Sequence, residues 1–283
     1  MDFEDRKWDI VIDAGKKSFS IDIRQLCEYK DLIIMFVKRD IATSYKQTVL
    51  GPLWYLVQPV CTTIMCMIVF QNVASLGTDG IPPVLFYLAG TILWAFFSNL
   101  LTAEARVFSD NKEIFGKVYF PRLTVPISIL LGELLKFLIQ LALFAMALVL
   151  YYIKGYHGFV SIKLLLLPIV IMWIAIQACG FGLVISSITT KYRDLAKALL
   201  FFLSLFMYAT PVVYPLSEVA EKYRIYFGLN PVTAVMECFR MSCFGAGLVR
   251  KEYIIYSVLC TLVFLLMGLA LFSKNEKTFV DVI

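Results

Sequence analysis

The sequence predicts an all-α membrane protein with six transmembrane helices. Apolar and aromatic residues make up 60% of the 283 residues, and only 17% are charged, whereas soluble domains carry about 25%. Six stretches are long and apolar enough to cross the hydrocarbon core, which takes about 20 residues of helix. This balance excludes a disordered chain, a collagen and a nucleic-acid-binding domain, and the modest net charge of +5 does not indicate a polyanionic partner.

The predicted spans are defined by the near absence of charge. Five of them contain no Asp, Glu, Lys or Arg, and the third contains only Glu133 and Lys136. The first 47 residues carry charges of both signs and no apolar core segment, so we expect no cleavable signal peptide. The spans are residues 48–78, 80–103, 123–153, 164–190, 198–217 and 253–273.

Lysine and arginine predict the orientation, because short loops rich in these residues stay in the cytoplasm. With six spans, the side that holds both termini has eighteen of them and the opposite side has seven. Both termini are therefore expected to be cytoplasmic. We divide the chain into an N-terminal segment (1–47), a six-span domain (48–273) and a cytoplasmic tail (274–283).

An amphipathic helix is expected over residues 22–47. Its apolar side chains recur at helical spacing with charges between them, and Asp22 is a plausible N-cap. We expect this helix to lie along the cytoplasmic membrane surface, as an anchor or as part of a gate. The apolar positions are Leu26, Tyr29, Ile33, Phe36, Val37 and Ile41.

Two connecting segments have more structure than a loop needs. Residues 104–122 mix Phe108, Ile114, Phe115, Val118 and Tyr119 with charges. Exposed apolar residues on a short charged helix indicate a docking surface, and a loop that lies on the membrane surface is the alternative. Residues 215–247 predict two short helices. Ser217 can cap the first and Gly228 ends it; Asn230-Pro231 begins the second, which runs to Gly245 and Gly247. We expect these to form a re-entrant or surface hairpin on the outer face.

Little in the chain predicts chemistry. His157 is the only histidine, there is no phosphate-binding loop motif, and the seven cysteines have no metal-ligand spacing. Glu133 and Lys136 share one helical face, and the favoured interpretation is that they pair with each other; contact with substrate is the alternative. Energy for any transport must therefore come from a partner, and residues 104–122 are where it would enter.

Several motifs resemble the permease subunits of ABC-type exporters of polysaccharides and polyol phosphates. The longest is FVKRDIATSYKQTVLGPLWYLVQP at 36–59. Four more follow in the same order: NKEIFGKVYFPR at 111–122, KYRDL at 191–195, YPLSEV with LNPVTAVMECFR at 214–240, and the tail FVDVI. The resemblance extends from about residue 20 to the C-terminus and does not separate O-antigen from teichoic-acid permeases.

The resemblance implies a homodimer of six-span permeases joined by two separate ATPase subunits, which use ATP and Mg²⁺; no cofactor is expected on this chain. The substrate would be a glycan on undecaprenyl pyrophosphate, moved across the bacterial inner membrane through a channel between the two copies. Residues 22–47 resemble the interface helix, 104–122 the coupling helix, and 215–240 the outer gate helices.

The resemblance also assigns individual residues. The residues expected to couple the permease to the ATPase are Asn111, Lys112, Glu113, Phe115 and Lys117. The residues expected at the substrate entry are Arg39, Tyr45 and Lys46, because basic side chains suit a diphosphate. The channel aromatics would be Trp54, Tyr55, Tyr87, Trp94, Phe97, Phe202, Tyr208 and Tyr214. The outer gate would include Asn230, Pro231, Glu237 and Arg240.

Two other functions remain open from the sequence. An ABC exporter of drugs or simple lipids would share the architecture without acting on a glycan. A membrane-embedded transferase acting on lipid-linked sugars would need catalytic groups at an interface. The obvious candidate side chains on the predicted outer face are Asp79, His157, Glu218 and Glu221.

Overall fold

A computed structural model describes residues 23–46, 48–118, 120–156, 162–189, 192 and 194–279. Regular structure in these ranges is entirely helical. The predicted cap Asp22 and the histidine His157 lie outside the described residues. The helices are α1 (Ile23–Glu28), α2 (Lys30–Tyr45), α3 (Trp54–Cys66), α4 (Pro83–Ala105), α5 (Val107–Asp110), α6 (Lys112–Lys117), α7 (Thr124–Ile153), α8 (Leu167–Thr189), α9 (Leu195–Phe206), α10 (Glu221–Gly228), α11 (Pro231–Phe244) and α12 (Lys251–Phe279).

Within the described part of the chain, five helical segments are long and apolar enough to cross a membrane. They are Gly51–Val73, Pro83–Ala105, Thr124–Ile153, Lys163–Thr189 and Lys251–Asn275. The first combines α3 with a short 3₁₀ turn before it and a π-helix after it.

The predicted fifth span contains a helix that is shorter than a full crossing. α9 has 12 residues, about 18 Å at 1.5 Å per residue, and irregular turns follow it. Pro211 has no N–H to continue the helical ladder. Beyond the helix, Asn230 Nδ2 donates instead to the Ala209 carbonyl at 3.2 Å and to Thr210 Oγ1 at 2.8 Å. Asn230, the N-cap residue of α11, thus takes the role of hydrogen-bond partner for the backbone at the point where the helical hydrogen bonds of α9 stop.

The apolar core surrounds α4, which contacts α3, α7, α8 and α9. Its most deeply buried side chains are large, and Phe86, Tyr87 and Leu93 have no accessible surface. A side chain facing lipid gains little from burial in protein, so this central helix is held mainly by packing density. The helices around it leave apolar faces uncovered.

Glycines bring α8 and α12 into backbone contact. A Cβ atom at Gly180 would lie 2.8 Å from the Leu265 backbone nitrogen, and one at Gly268 would lie 2.9 Å from the Gly180 carbonyl oxygen. Both distances are shorter than carbon can approach. Small residues are the usual means by which membrane helices pack this closely.

Local sequence signals define α11 but not the start of α10. Asn230 Oδ1 accepts a hydrogen bond from the Val232 N–H at 3.0 Å, and Gly245 ends the helix with φ of 70°, so the predicted start and end of α11 are confirmed. Gly228 is the last residue of α10, as expected. The predicted Ser217 cap is wrong: α10 begins at Glu221, and Ser217 Oγ donates to Asp79 Oδ1 at 2.6 Å.

Candidate functional site: coupling segment and polar cavity

Aromatic side chains join the predicted coupling segment, residues 104–122, to helices near both ends of the chain. Phe108 stacks on Phe272 of α12 with ring centroids 4.7 Å apart, and Phe120 meets Phe36 of α2 at 5.8 Å. Phe115 lies between Phe108 and Phe120, 5.9 Å from each. We call these five residues the aromatic cluster. All of them are buried, so a displacement of the coupling segment acts on α2 and α12 together.

The exposed face of this segment combines charged side chains with Val118, which is 60% exposed. Glu113 and Lys117 side chains are 89% and 75% exposed and lie 3.8 Å apart, and Lys112 is exposed beside them. The expectation of exposed apolar residues is wrong for Phe108 and Phe115, because both pack inside the aromatic cluster, whereas Val118 is exposed. Asn111 is also buried. A protein that docks here would therefore contact charged side chains, and the buried aromatic cluster lies beneath them.

Asn111 connects the coupling segment to α2. Its Nδ2 donates to the Val107 carbonyl at 3.0 Å, and its Oδ1 accepts from Arg39 Nη2 at 3.4 Å. Arg39 also pairs with Asp40 at 2.7 Å and lies 4.9 Å from the centre of the Phe36 ring. The structure thus brings together a residue predicted for coupling and one predicted for substrate access.

A polar cavity of about 330 Å³ lies where α2, the coupling segment and α7 meet. Its lining includes both members of the α7 ion pair, in which Lys136 Nζ lies 2.6 Å from Glu133 Oε1. The prediction that these two residues pair is confirmed. Lys46 is exposed and does not line this cavity, and the side chain of Tyr45 lies outside the described residues. The charged and polar lining residues are Arg39, Asp40, Asp110, Asn111, Ser128, Glu133 and Lys136.

Glu104 is a buried acid that sequence reasoning did not single out. It lies at the C-terminal end of α4 with no accessible surface, and Cys179 Sγ donates to its Oε1 at 3.7 Å. Its Oε2 has no hydrogen-bond partner among the described residues. The sequence places Glu104 at the border of a charged loop, where a solvated acid is the default expectation; burial comes from α8, whose Gly182 leaves room for it.

On the predicted outer side, a buried ion pair within α11 joins this helix to the chain segments before and after the hairpin and to α4. Arg240 Nη1 lies 2.9 Å from Glu237 Oε1, and both side chains are no more than 3% exposed. Arg240 Nη2 also donates to the Val212 carbonyl at 2.8 Å, and its guanidinium lies 4.2 Å from the Phe86 ring centre. Glu237 Oε2 accepts from the Leu248 N–H at 2.8 Å. Burial lowers the pKa of Arg240, and Glu237 opposes that shift.

The aromatic residues predicted to line a channel fall into three groups by their exposure. Trp54, Phe202 and Tyr208 are between 51% and 62% exposed. Tyr87, Trp94 and Phe97 are buried by side chains of the same chain, so in this structure they form core and no exposed surface. Tyr55 and Tyr214 are intermediate.

These features define a multi-pass α-helical membrane protein. The described residues form long apolar spans, a charged segment on an apolar base and a polar cavity beside it. Comparison with known proteins gives the family: the sequence profile described as "ABC-2 type transporter" matches residues 31–244. The chain belongs to the ABC-2 type transporter family. Its members are transport components rather than enzymes, and the ATPase of the system is a separate subunit.

Full-length relatives are found among named exporters. The chain is 24% identical over 261 residues to the O-antigen export system permease protein RfbA of Myxococcus xanthus, covering 92% of this chain and 98% of the relative. It is 25% identical over 254 residues to RfbA of Klebsiella pneumoniae, with coverage of 89% and 95%. It is 24% identical over 242 residues to the polysialic acid transport protein KpsM of Escherichia coli, with coverage of 84% and 91%.

Proposed function

We propose that this chain is the permease subunit of an ATP-driven exporter that moves an O-antigen-like polysaccharide across the bacterial inner membrane. The polysaccharide is carried on undecaprenyl pyrophosphate, and it passes through a channel between two copies of the chain. The observation that carries this proposal is the end-to-end match to permeases named for O-antigen export, which covers 98% of the Myxococcus relative.

The structure supports the proposed route of energy into the permease. Two ABC ATPase subunits would bind the charged face of the coupling segment, formed by Lys112, Glu113 and Lys117. Asn111 and Phe115 would act from inside, because they tie that face to α2 and α12. The packed aromatic cluster would transmit a displacement of the coupling segment better than a flexible loop, since packed interiors have low compressibility.

The proposed topology places both termini in the cytoplasm. It requires α9 and the turns after it to complete a sixth crossing, with the hairpin of α10 and α11 on the outer side. The bias of Lys and Arg toward one side supports this orientation. Trp54, Phe202 and Tyr208 supply aromatic surface that can face a sugar chain, whose C–H faces stack on rings.

Depletion of the protein, followed by mass spectrometry of undecaprenyl-linked glycans, tests the proposed function. We expect full-length glycan to accumulate in the membrane and surface polymer to be lost. Unchanged glycan pools would remove the polysaccharide assignment in favour of a drug or lipid exporter. A truncated glycan would instead point to a transferase.

A further inference from the structure

Glu104 is a buried carboxyl group that the proposed coupling contacts do not use. It lies where α4 passes into the coupling segment, three residues before Val107 begins α5. Acids at the end of a membrane span usually reach water, because the charged form is costly to bury. The Glu104 side chain nevertheless has no accessible surface.

α8 closes the protein around this carboxyl group. A Cβ atom at Gly182 would overlap the Cβ atom of Glu104 and would lie 3.0 Å from the Leu101 carbonyl oxygen. One residue further along α4, the Ala105 carbonyl accepts a hydrogen bond from Thr189 Oγ1 at 2.8 Å. The end of α4 is thus held against the backbone of α8, and this contact keeps water from the carboxyl group.

The surroundings of Glu104 do not suit a carboxylate. Its Oε1 accepts from the Cys179 thiol of α8 at 3.7 Å, and thiols are weak donors. Its Oε2 has no hydrogen-bond partner, and no cation in the described part of the chain forms an ion pair with it. Arg106 and Asp110, the nearest charged residues along the coupling segment, are partly or fully exposed.

A comparison with the other buried acids indicates the state of this group. Glu237 is equally buried, but it pairs with Arg240 at 2.9 Å and accepts a backbone N–H. Glu133 likewise pairs with Lys136. Glu104 has no such compensation, and an isolated carboxylate in an apolar site takes up a proton, because burying a neutral hydroxyl costs far less than burying a charge.

We propose that Glu104 is a neutral carboxylic acid while the coupling segment rests against α8, and that it releases its proton when the segment is displaced. The inference rests on the proposed function, in which an ATPase moves this segment. In the resting state Oε2 carries the proton, since Oε1 accepts from Cys179. Displacement takes the end of α4 away from Gly182 and admits water. The Oε2–H bond then breaks, the proton passes to water, and return of the segment takes up one proton.

The proton binds the resting state more tightly than the displaced state, so acid favours rest and rising pH favours displacement. A glutamate in water titrates near pH ~4.3. Above about pH 5, the displaced state is therefore ionised while the resting state is neutral. With one proton exchanged, the ratio of resting to displaced segments falls about tenfold for each pH unit. Glu104 is thus a positioning residue whose effect on the coupling segment depends on pH.

Difference infrared spectroscopy of the complex of permease and ATPase tests for the proton directly. In phosphatidylcholine nanodiscs at neutral pH, the spectrum of the unaltered protein minus that of Glu104→Gln should contain the carbonyl stretching band of a protonated acid. This band should shift in deuterated water. The matched control is Glu133→Gln, whose difference spectrum should contain carboxylate bands, since Lys136 pairs with Glu133. Carboxylate bands from Glu104 at neutral pH would overturn the proposal.

Nucleotide tests the release of the proton. A non-hydrolysable ATP analogue, which holds the ATPase subunits in their nucleotide-bound form, should reduce the Glu104 carbonyl band. The ratio of the band that remains to the band that is lost should fall about tenfold for each pH unit. A band that the analogue leaves unchanged at every pH, or a ratio that does not depend on pH, would overturn the release step.

Two variants of Cys179 guard against a folding defect in Glu104→Gln, because they leave the carboxyl group in place. Cys179→Ser supplies a stronger donor to Oε1 and should lower the carbonyl frequency, whereas Cys179→Ala removes the donor and should raise it. Cys61→Ser, at an exposed position of α3, should leave the band where it is. A band that responds equally to all three variants would not belong to Glu104, and the proposal would fail.

The proton proposal and the proposed function fail separately. If depletion abolishes surface polysaccharide but Glu104 gives carboxylate bands at neutral pH, only the proton proposal fails. If glycan pools are unchanged but the carbonyl band responds to nucleotide and pH as expected, only the polysaccharide assignment fails.

Discussion

Replacement of Arg240 by leucine should strongly destabilise the packing of α11 against the rest of the chain. The change leaves the Glu237 carboxylate buried without its cation and removes the donor to the Val212 carbonyl. Breaking a buried ion pair by removing one partner costs about 3–5 kcal/mol. At about 2–4 °C per kcal/mol for a domain of similar size, the melting temperature should fall by about 6–20 °C. Thermal unfolding of the purified complex, followed by scanning fluorimetry, measures this shift.

The chain offers a matched control on the same predicted side. Arg250 and Glu221 lie 3.8 Å apart, with side chains 45% and 83% exposed. Exposed ion pairs contribute at most about 1 kcal/mol, so Arg250→Leu should shift the melting temperature only slightly. The double variant Glu237→Gln/Arg240→Leu should lower the melting temperature by less than the sum of the two single variants, because no buried charge is left unpaired. Equal shifts for Arg240→Leu and Arg250→Leu would refute the reasoning.

Three other changes have defined outcomes. Asn230→Ala removes the cap of α11 and should cost about 1 kcal/mol or more in thermal stability, whereas Asn230→Ser should recover much of it; equal loss in both would contradict the capping role. Phe115→Ala should destabilise the permease by about 3–5 kcal/mol and reduce co-purification of the ATPase, while Lys112→Ala should leave stability unchanged. A charged maleimide at neutral pH should label exposed Cys27 but not Cys243, since burial raises the pKa of the Cys243 thiol to about 12, leaving little thiolate to react; mass spectrometry of the peptides distinguishes the two.

Features set by neighbouring residues were predictable from the sequence. The start of α11 at Asn230-Pro231 and its end at Gly245 follow from capping rules that need only a few residues. The pairing of Glu133 with Lys136 follows from their spacing of three on one helix. The all-helical class follows from long uncharged stretches, since backbone groups in lipid must be satisfied within a helix or a closed barrel.

Features that depend on tertiary contacts were not predictable in this way. Spacing alone does not show that Phe115 is buried, because its partners Phe108 and Phe120 come together only when the segment folds on α2 and α12. Ser217 has the chemistry of a cap but bonds to Asp79, 138 positions away along the chain. The contact between Arg39 and Asn111 likewise joins residues 72 positions apart.

The glycine contact between α8 and α12 limits how the permease can move. Because hydrogen is the only side chain that Gly180 and Gly268 can carry there, the two backbones meet at these positions with no side chains between them. We therefore expect α8 and α12 to move together, and a pathway for a polymer to open elsewhere. Any opening has to form at the surfaces that a single chain leaves uncovered. α12 also carries Phe272, so the aromatic cluster and α8 pack against the same helix.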